Sequence, residues 1–443
     1  LKADFGFVWA GDFFAMQTKI SRRRLIALSA AATAIGACGT TSAKDPIPLA
    51  DSAPAYAVTG AKWFTGDGFE TKTGYSVRGR FTFRKPAKID ETLDMAGAFI
   101  VPPFADAHNH GIGTGVAARD QSMVAAYLRA GVFYAQSMGN LPIDAADKER
   151  LGIGAPGGLD ATFAQGSITG PGGHPMGLIR NVLLPQGFFP GQSLETLEGV
   201  RFFQIASEAE LRAKWPAIVS ARPDFIKFFL FNSETYSARR DDPATFGRRG
   251  IDPALAKAVV QMAHAEGLRA AAHVVSVDDV RVALDAGADV LGHLPADGVL
   301  GAREANAIAK AGTPIHTTCG FLARIAGAGP VGPAAIGERM KAGLVGLKQA
   351  GAKVVIGADD PMDVSVKEVD YLRQMGVFTD AELLRMWTGA TAESIFPGRD
   401  IGRLAEGYEA SFVALEGDPL ADWSAVKRIR ARFKQGRVMT PPA

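Results

Sequence analysis

Residues 99–110 read Phe-Ile-Val-Pro-Pro-Phe-Ala-Asp-Ala-His-Asn-His. A run this apolar, punctuated by Pro102 and Pro103 and closed by polar residues, predicts a strand buried on both faces. It also marks a change of rhythm. Upstream, residues 56–98 hold short β-like runs such as 56–64 and 75–83, separated by Gly, Asp and Lys turns, with no helical period. Downstream, apolar runs alternate with amphipathic stretches. Eight such runs are counted: 99–108, 131–138, 161–168, 224–230, 269–274, 289–294, 313–319 and 353–359. Between them, residues 122–131, 252–267 and 277–287 carry helical spacing. Asp252-Pro253 supplies an N-cap with Pro in the first turn, and Gly267 a stop.

Eight buried strands alternating with helices predict an α/β fold, a (β/α)8 TIM barrel over residues 99–395. The long interval 170–223 is expected to add a helix or loop. After residue 395 the chain returns to β-like runs at 401–417 and 425–439. Residues 55–98 and 396–443 are therefore expected to pair into one small β-sandwich domain built from both flanks of the barrel.

Composition narrows the function classes. Hydrophobic residues make up 47% of the 443 and charged residues 21%, enough apolar surface for a large core, which excludes a disordered chain. No run of like charge stands out, so no nucleic-acid footprint is expected. Two cysteines exclude a disulfide framework and a thiolate-built metal site.

Residues 1–37 read as upstream residues and an export signal. Lys19 and Arg22 to Arg24 precede the apolar run 25–37, which is too short for a comfortable membrane span. Met16 fits a true start. Ile35-Gly36-Ala37-Cys38 resembles the bacterial lipoprotein box, in which the cysteine is lipidated, and Ser21-Arg22-Arg23 partly resembles a twin-arginine signal; an ordinary signal with an incidental cysteine is the alternative. Residues 38–54 then form a tether. The expectation is an exported chain on the periplasmic side of a bacterial membrane, held by lipid at Cys38, through the Tat or Sec route. Removing Lys2, Lys19, Arg22, Arg23 and Arg24 against Asp4 and Asp12 turns the formal charge of +2 slightly negative.

The chemistry lies at strand ends. His108 and His110 close the first barrel strand, and residues i and i+2 of a strand share a face, so two imidazoles leave it together. His273 is read as ending the fifth strand, His293 the sixth and Asp359 the eighth. All are expected on the C-terminal rim, where barrel active sites form. Lys227 lies inside Phe225-Ile226-Lys227-Phe228-Phe229, where a charged ammonium is costly. A neutral amine there can react with carbon dioxide to give a carbamate able to bridge two cations; a snorkelling or ion-paired lysine is the alternative.

This ordered set of residues resembles the metal-dependent amidohydrolase superfamily in its two-metal form with a carboxylated lysine. Residues 99–110 resemble its strand-one signature, and 404–420 the closing segment of its small β domain, with Ser411 near a position where the family usually has Asp. Asp224-Phe225-Ile226-Lys227, Gly172-Gly173-His174 and Leu291-Gly292-His293 look most like the imidazolonepropionase-related, prolidase-like branch. The resemblance implies two divalent ions, with zinc suited to these ligands. His108, His110 and Asp359 would hold the more buried ion, His273 and His293 the more exposed one, and carboxylated Lys227 would bridge them. A metal-bridging hydroxide would attack a carbonyl, with Asp359 as proton shuttle to the leaving amine. His174 would bind substrate or stabilise the oxyanion, and Tyr236 would line the pocket. Arg239, Arg240, Arg248 and Arg249 either meet a substrate carboxylate or form a solvated loop. His264 reads as structural, and His316 has no assigned role.

The function expected is hydrolysis of a C–N bond in an amide, peptide or cyclic amide, dipeptidase- or prolidase-like, on a small-molecule or dipeptide substrate. The alternatives are a deaminase of the same superfamily and a non-catalytic lipid-anchored binding protein on the same fold. Membrane association is expected only through the lipid, and oligomerisation is left open.

Overall fold

The computed structural model describes residues 53–325 and 332–440. The expected export signal, Cys38 and nearly all of the expected tether lie outside the described residues. Each of the eight apolar runs contains a strand of a parallel sheet. The strands are Phe104–Asn109, Val132–Ser137, Asp160–Phe163 continued by Ser167–Thr169, Phe225–Phe229, Arg269–His273, Val290–Leu291, Ile315–His316 and Val354–Val355. Helices such as Ala117–Arg129, Val277–Ala286 and Ala302–Ala311 separate them. Every residue of Phe104–Asn109, Val132–Ser137 and Phe225–Phe229 is buried, which is why these runs read as continuous rather than alternating.

The strands of the expected (β/α)8 barrel do not close into one sheet. The strands form a three-stranded and a seven-stranded sheet. The third strand divides at Gln165, whose φ of 59° lies in the left-handed region. Its first half pairs with Val132–Ser137 and its second with Phe225–Phe229. At the other junction the Ala107 N–H donates to Ile356 C=O at 2.8 Å, and the Asp359 N–H to His108 C=O at 2.7 Å. The interval 170–223 contributes the helix Glu208–Ser220, as expected, and also an added strand, Phe202–Gln204, parallel to Ser167–Thr169.

The change of rhythm also falls later than Phe99. The strand Phe99–Val101 belongs to a flanking six-stranded sheet, between Phe412–Leu415 and Lys62–Phe64. Pro102 and Pro103 carry no N–H for a ladder, so the run breaks there and the parallel layer starts at Phe104. The flanks form a six-stranded sheet drawn from both ends of the described chain and a four-stranded sheet drawn from the N-terminal side. The two sheets share one core: Val58 and Phe81 from the smaller meet Trp63, Ile100, Phe412 and Phe433 from the larger. Trp63 is fully buried, with Phe81 and Phe83 edge-on at 5.7 Å each. A Cβ at position 74 would lie 2.4 Å from the Trp63 ring, so Gly74 is needed for this packing. Burial of each such side chain stabilises by about 2–3 kcal/mol.

Helix ends follow the sequence signals. Asp252 Oδ1 accepts from the Ala254 N–H at 3.0 Å and leads through the turn Pro253–Leu255 into the helix Ala256–Ala265. Gly267, at φ 71°, ends it. Among the described residues no helix is long and apolar enough to cross a membrane.

Candidate metal centre

Parallel strands present their C-terminal ends on one rim. His108 lies near the end of Phe104–Asn109, with His110 just beyond, His273 ends its strand, and His293 and Asp359 follow Val290–Leu291 and Val354–Val355. These residues, far apart in the chain, converge. Asp359 Oδ1 is 3.4 Å from His108 Nε2 and 3.3 Å from His110 Nε2, and its Oδ2 is 3.8 Å from His293 Nδ1. His108, His293 and Asp359 each offer a ligand atom, all within 4.8 Å of one another. The His273 and His293 rings lie 4.4 Å apart. His174 stacks on His273, with centroids at 4.8 Å and planes 18° apart.

The backbone is arranged for this approach. Asp359 has φ 55°, a conformation that costs a non-glycine residue roughly 1–3 kcal/mol. Its N–H bond to His108 C=O holds it there. Gly357 and Gly292 supply the room. A Cβ at 357 would lie 2.6 Å from His108 Cβ, and one at 292 would lie 2.7 Å from Lys227 Nζ.

Further hydrogen bonds hold these side chains in place. Asp106 Oδ1 accepts from the His108 N–H at 3.2 Å and the Ala358 N–H at 3.0 Å, clamping the first strand to the eighth. Burial raises the Asp106 carboxyl to about 7. Asn109 Nδ2 donates to the carbonyls of Asp360 and Asp363, at 2.9 and 3.0 Å. Thr318 Oγ1 is 2.9 Å from His293 Nδ1, and Gly139 C=O is 3.1 Å from His110 Nδ1.

Burial, reinforced by neighbouring imidazoles and by Lys227, pushes His108, His273 and His293 well below the ordinary histidine range. They are neutral at physiological pH, the form that binds cations. Burial lowers Lys227 to about 7, and burial with the nearby His110, Lys227 and Arg201 lowers His174 to about 3. His108 Nε2, His273 Nε2 and Lys227 Nζ are buried without a hydrogen-bond partner among the described residues. Such orphans cost roughly 1–3 kcal/mol each unless something satisfies them. Two neutral imidazoles and an amine left open beside a carboxylate are a donor set that fits divalent cations.

The structure thus brings His108, His110, His273, His293, Asp359, Lys227 and His174 together. Tyr236 opens the short helix Tyr236–Arg239 and is half-buried, and no ring contact or hydrogen bond ties it to the histidines among the described residues. The loop arginines are engaged locally: Arg239 Nη2 donates to Arg248 C=O, Arg249 Nη1 to Arg240 C=O, and Arg240 pairs with Asp241. His264 pairs with Asp289 at 2.8 Å, away from the centre.

His316 belongs to the centre although its sequence setting assigned it no role. It is fully buried, and its Nδ1 is 3.4 Å from His108 Nδ1. Its place within the seventh apolar run was the available signal. Asp106 stands in the Asp-x-His-x-His of the first run, which was its signal; Thr318 gave none beyond lying in the seventh run.

A family model described as the Amidohydrolase family matches residues 99–439. Among solved structures, A. niger ochratoxinase is similar at 18% identity and a TM-score of 0.69, over 88% of this chain and 96% of that one. A Xaa-Pro dipeptidase with methionine bound in its active site is similar at 17% identity and 0.66, over 87% and 99%. Molinate hydrolase is similar at 16% and 0.68, over 87% and 95%. At these identities the likeness is one of fold. No curated protein matches the sequence.

Proposed function

The chain belongs to the amidohydrolase family and is a hydrolytic enzyme acting on carbon–nitrogen bonds, and from that premise we propose a two-metal hydrolase of amide or peptide bonds, dipeptidase-like in its substrates. We read the two parallel sheets as one (β/α)8 barrel and the flanking sheets as a β-sandwich. His108, His110 and Asp359 would hold one cation, and His273 and His293 a second, with zinc suited to both. Lys227 would bridge them as a carbamate. Its near-neutral amine adds to carbon dioxide, forming the N–C bond and releasing one proton.

Divalent ions bound there would supply an acidified water and a polarised carbonyl. The chain's own residues do the rest. The Asp359 carboxylate, fixed by its N–H bond to His108, takes the proton of the attacking water and passes it to the leaving nitrogen. His174, neutral and stacked on His273, donates a hydrogen bond to the carbonyl oxygen as charge develops on it. Upstream, we propose export of the chain and lipid attachment at Cys38, which mass spectrometry of the mature N-terminus tests: an unmodified Cys38 overturns it.

The observation that carries the catalytic reading is the convergence of His108, His110 and His293 on Asp359 beside the unpartnered amine of Lys227. Metal analysis should find about two ions per chain. A screen of dipeptides, N-acyl amino acids, lactones and cyclic ureas should find turnover on amides. One tightly bound ion with full activity in Lys227→Ala sinks the two-metal reading.

A further inference from the structure

Beside this centre lies a buried guanidinium, Arg201, with no carboxylate paired to it among the described residues. Arg201 immediately precedes the added strand Phe202–Gln204. That strand pairs with Ser167–Thr169, and Ser167 is in register with Lys227 on its other side. Arg201 is only 4% exposed. Its Nη1 donates to Ser167 Oγ at 3.2 Å, and its Nε has no partner among the described residues. Burial alone lowers the guanidinium to about 10, with no carboxylate opposing the shift.

Its position is set closely. A Cβ at Gly139 would lie 2.7 Å from Arg201 Nη1 and 2.8 Å from Nη2, so the guanidinium rests against that peptide. The Gly139 carbonyl in turn lies 3.1 Å from His110 Nδ1. The positive charge is felt by both Lys227 and His174. The loop arginines differ: their guanidiniums reach carbonyls or Asp241 within their own loop.

A buried cation without an anionic partner is destabilising by several kcal/mol and is tolerated where a ligand brings the anion. The guanidinium fork matches a carboxylate. We infer that Arg201 anchors a carboxylate of the substrate, so that the site selects amides bearing an anionic group close to the scissile bond. This rests on the proposed amide hydrolysis for the identity of that bond and names the substrate class.

The test is calorimetric titration of the metal-loaded full chain with N-acetyl-L-methionine and with its carboxamide. The carboxylate should bind tighter, and Arg201→Met should collapse the preference by roughly 30-fold or more. Arg201→Lys, which keeps the charge but not the fork, should retain part of it. Should Arg201→Met fail to fold, Arg201→Gln makes the same comparison. Absence of a preference, a preference that survives Arg201→Met, or equal weakening of both ligands with loss of metal overturns the inference; the last outcome would make Arg201 a partner of the carbamate instead. Hydrolysis of Met-Pro is scored separately. No turnover alongside Arg201-dependent carboxylate binding sinks the proposed activity and leaves the anchor standing.

Discussion

Two lysines are buried alike in this protein and live in opposite surroundings. Lys434 is fully buried where the flanking six-stranded sheet meets the parallel sheets, and its Nζ lies 2.7 Å from Asp160 Oδ1. Arg399 joins Asp160 to Glu409 at 2.9 Å each, and the Tyr134 hydroxyl donates to Glu409 at 3.0 Å. Two cations there meet two carboxylates. Ser411 also donates to Glu409, at 2.7 Å, so the serine near the family's usual Asp position is drawn into this seam. Lys227 is 1% exposed and has no hydrogen-bond partner at all among the described residues. The seam compensates its charges within the chain. The rim leaves nitrogens open, which only an external group can satisfy. A buried lysine is evidence of chemistry when its counter-ion is missing, and of architecture when the counter-ion is buried with it.

The largest effect that can break this contrast is on turnover. Lys227→Met preserves volume, and should lower kcat/KM roughly 1000-fold or more while depleting bound metal. The metal-free chain should be at least as stable as wild type in urea, because an unpaired buried amine has been replaced by an apolar side chain. Unfolding of this variant would make Lys227 architectural.

Lys434→Met inverts the pattern. It leaves Asp160 short of a partner and should destabilise by about 3 kcal/mol, read from urea midpoints, with the metal content of the folded protein unchanged. Loss of metal at full stability would dissolve the distinction between the two clusters.

A third effect depends on pH. Burial holds Glu368 up at about 7, against an ordinary 4.5, while it accepts from the Cys319 and Gly320 N–H groups at 2.8 and 2.7 Å. The unfolded chain gives up this proton first. The contribution of Glu368 is therefore fully present below pH 4.5 and lost as pH rises to about 7. Urea midpoints of metal-free protein should carry that downward slope, and Glu368→Gln should flatten it. An unchanged slope in the variant would assign it to other groups.

The smallest effect is Tyr134→Phe. It removes one hydroxyl from the seam and should cost about 1 kcal/mol, with kcat/KM unaffected. A change in kcat/KM would show that the seam reaches the catalytic rim.

Much of the fold was legible because strands buried on both faces must be apolar throughout, and the eight runs stand out against helical spacing. Most of the candidate site was legible for a related reason. His108, His110, His273, His293 and Asp359 sit at or just beyond the ends of such runs, and chain order alone places those ends on one rim. The added strand Phe202–Gln204 was not legible, because three residues carry no period. Nor was the transfer of Phe99–Val101 to the flanking sheet, since an apolar strand looks the same in either layer.

Sequence by itself determined which residue types stand at the strand ends, and hence the class of chemistry, because periodicity and chain order are properties of the covalent chain. Only the tertiary structure decided which polar groups are satisfied. Lys434 and Lys227 both lie in β-like runs, yet Asp160 reaches one and, among the described residues, no carboxylate pairs with the other. His316 and Arg201 became part of the centre in the same way. Pairing and burial are settled between segments hundreds of residues apart, in a low-dielectric interior where a missing partner is expensive, and no local pattern records it.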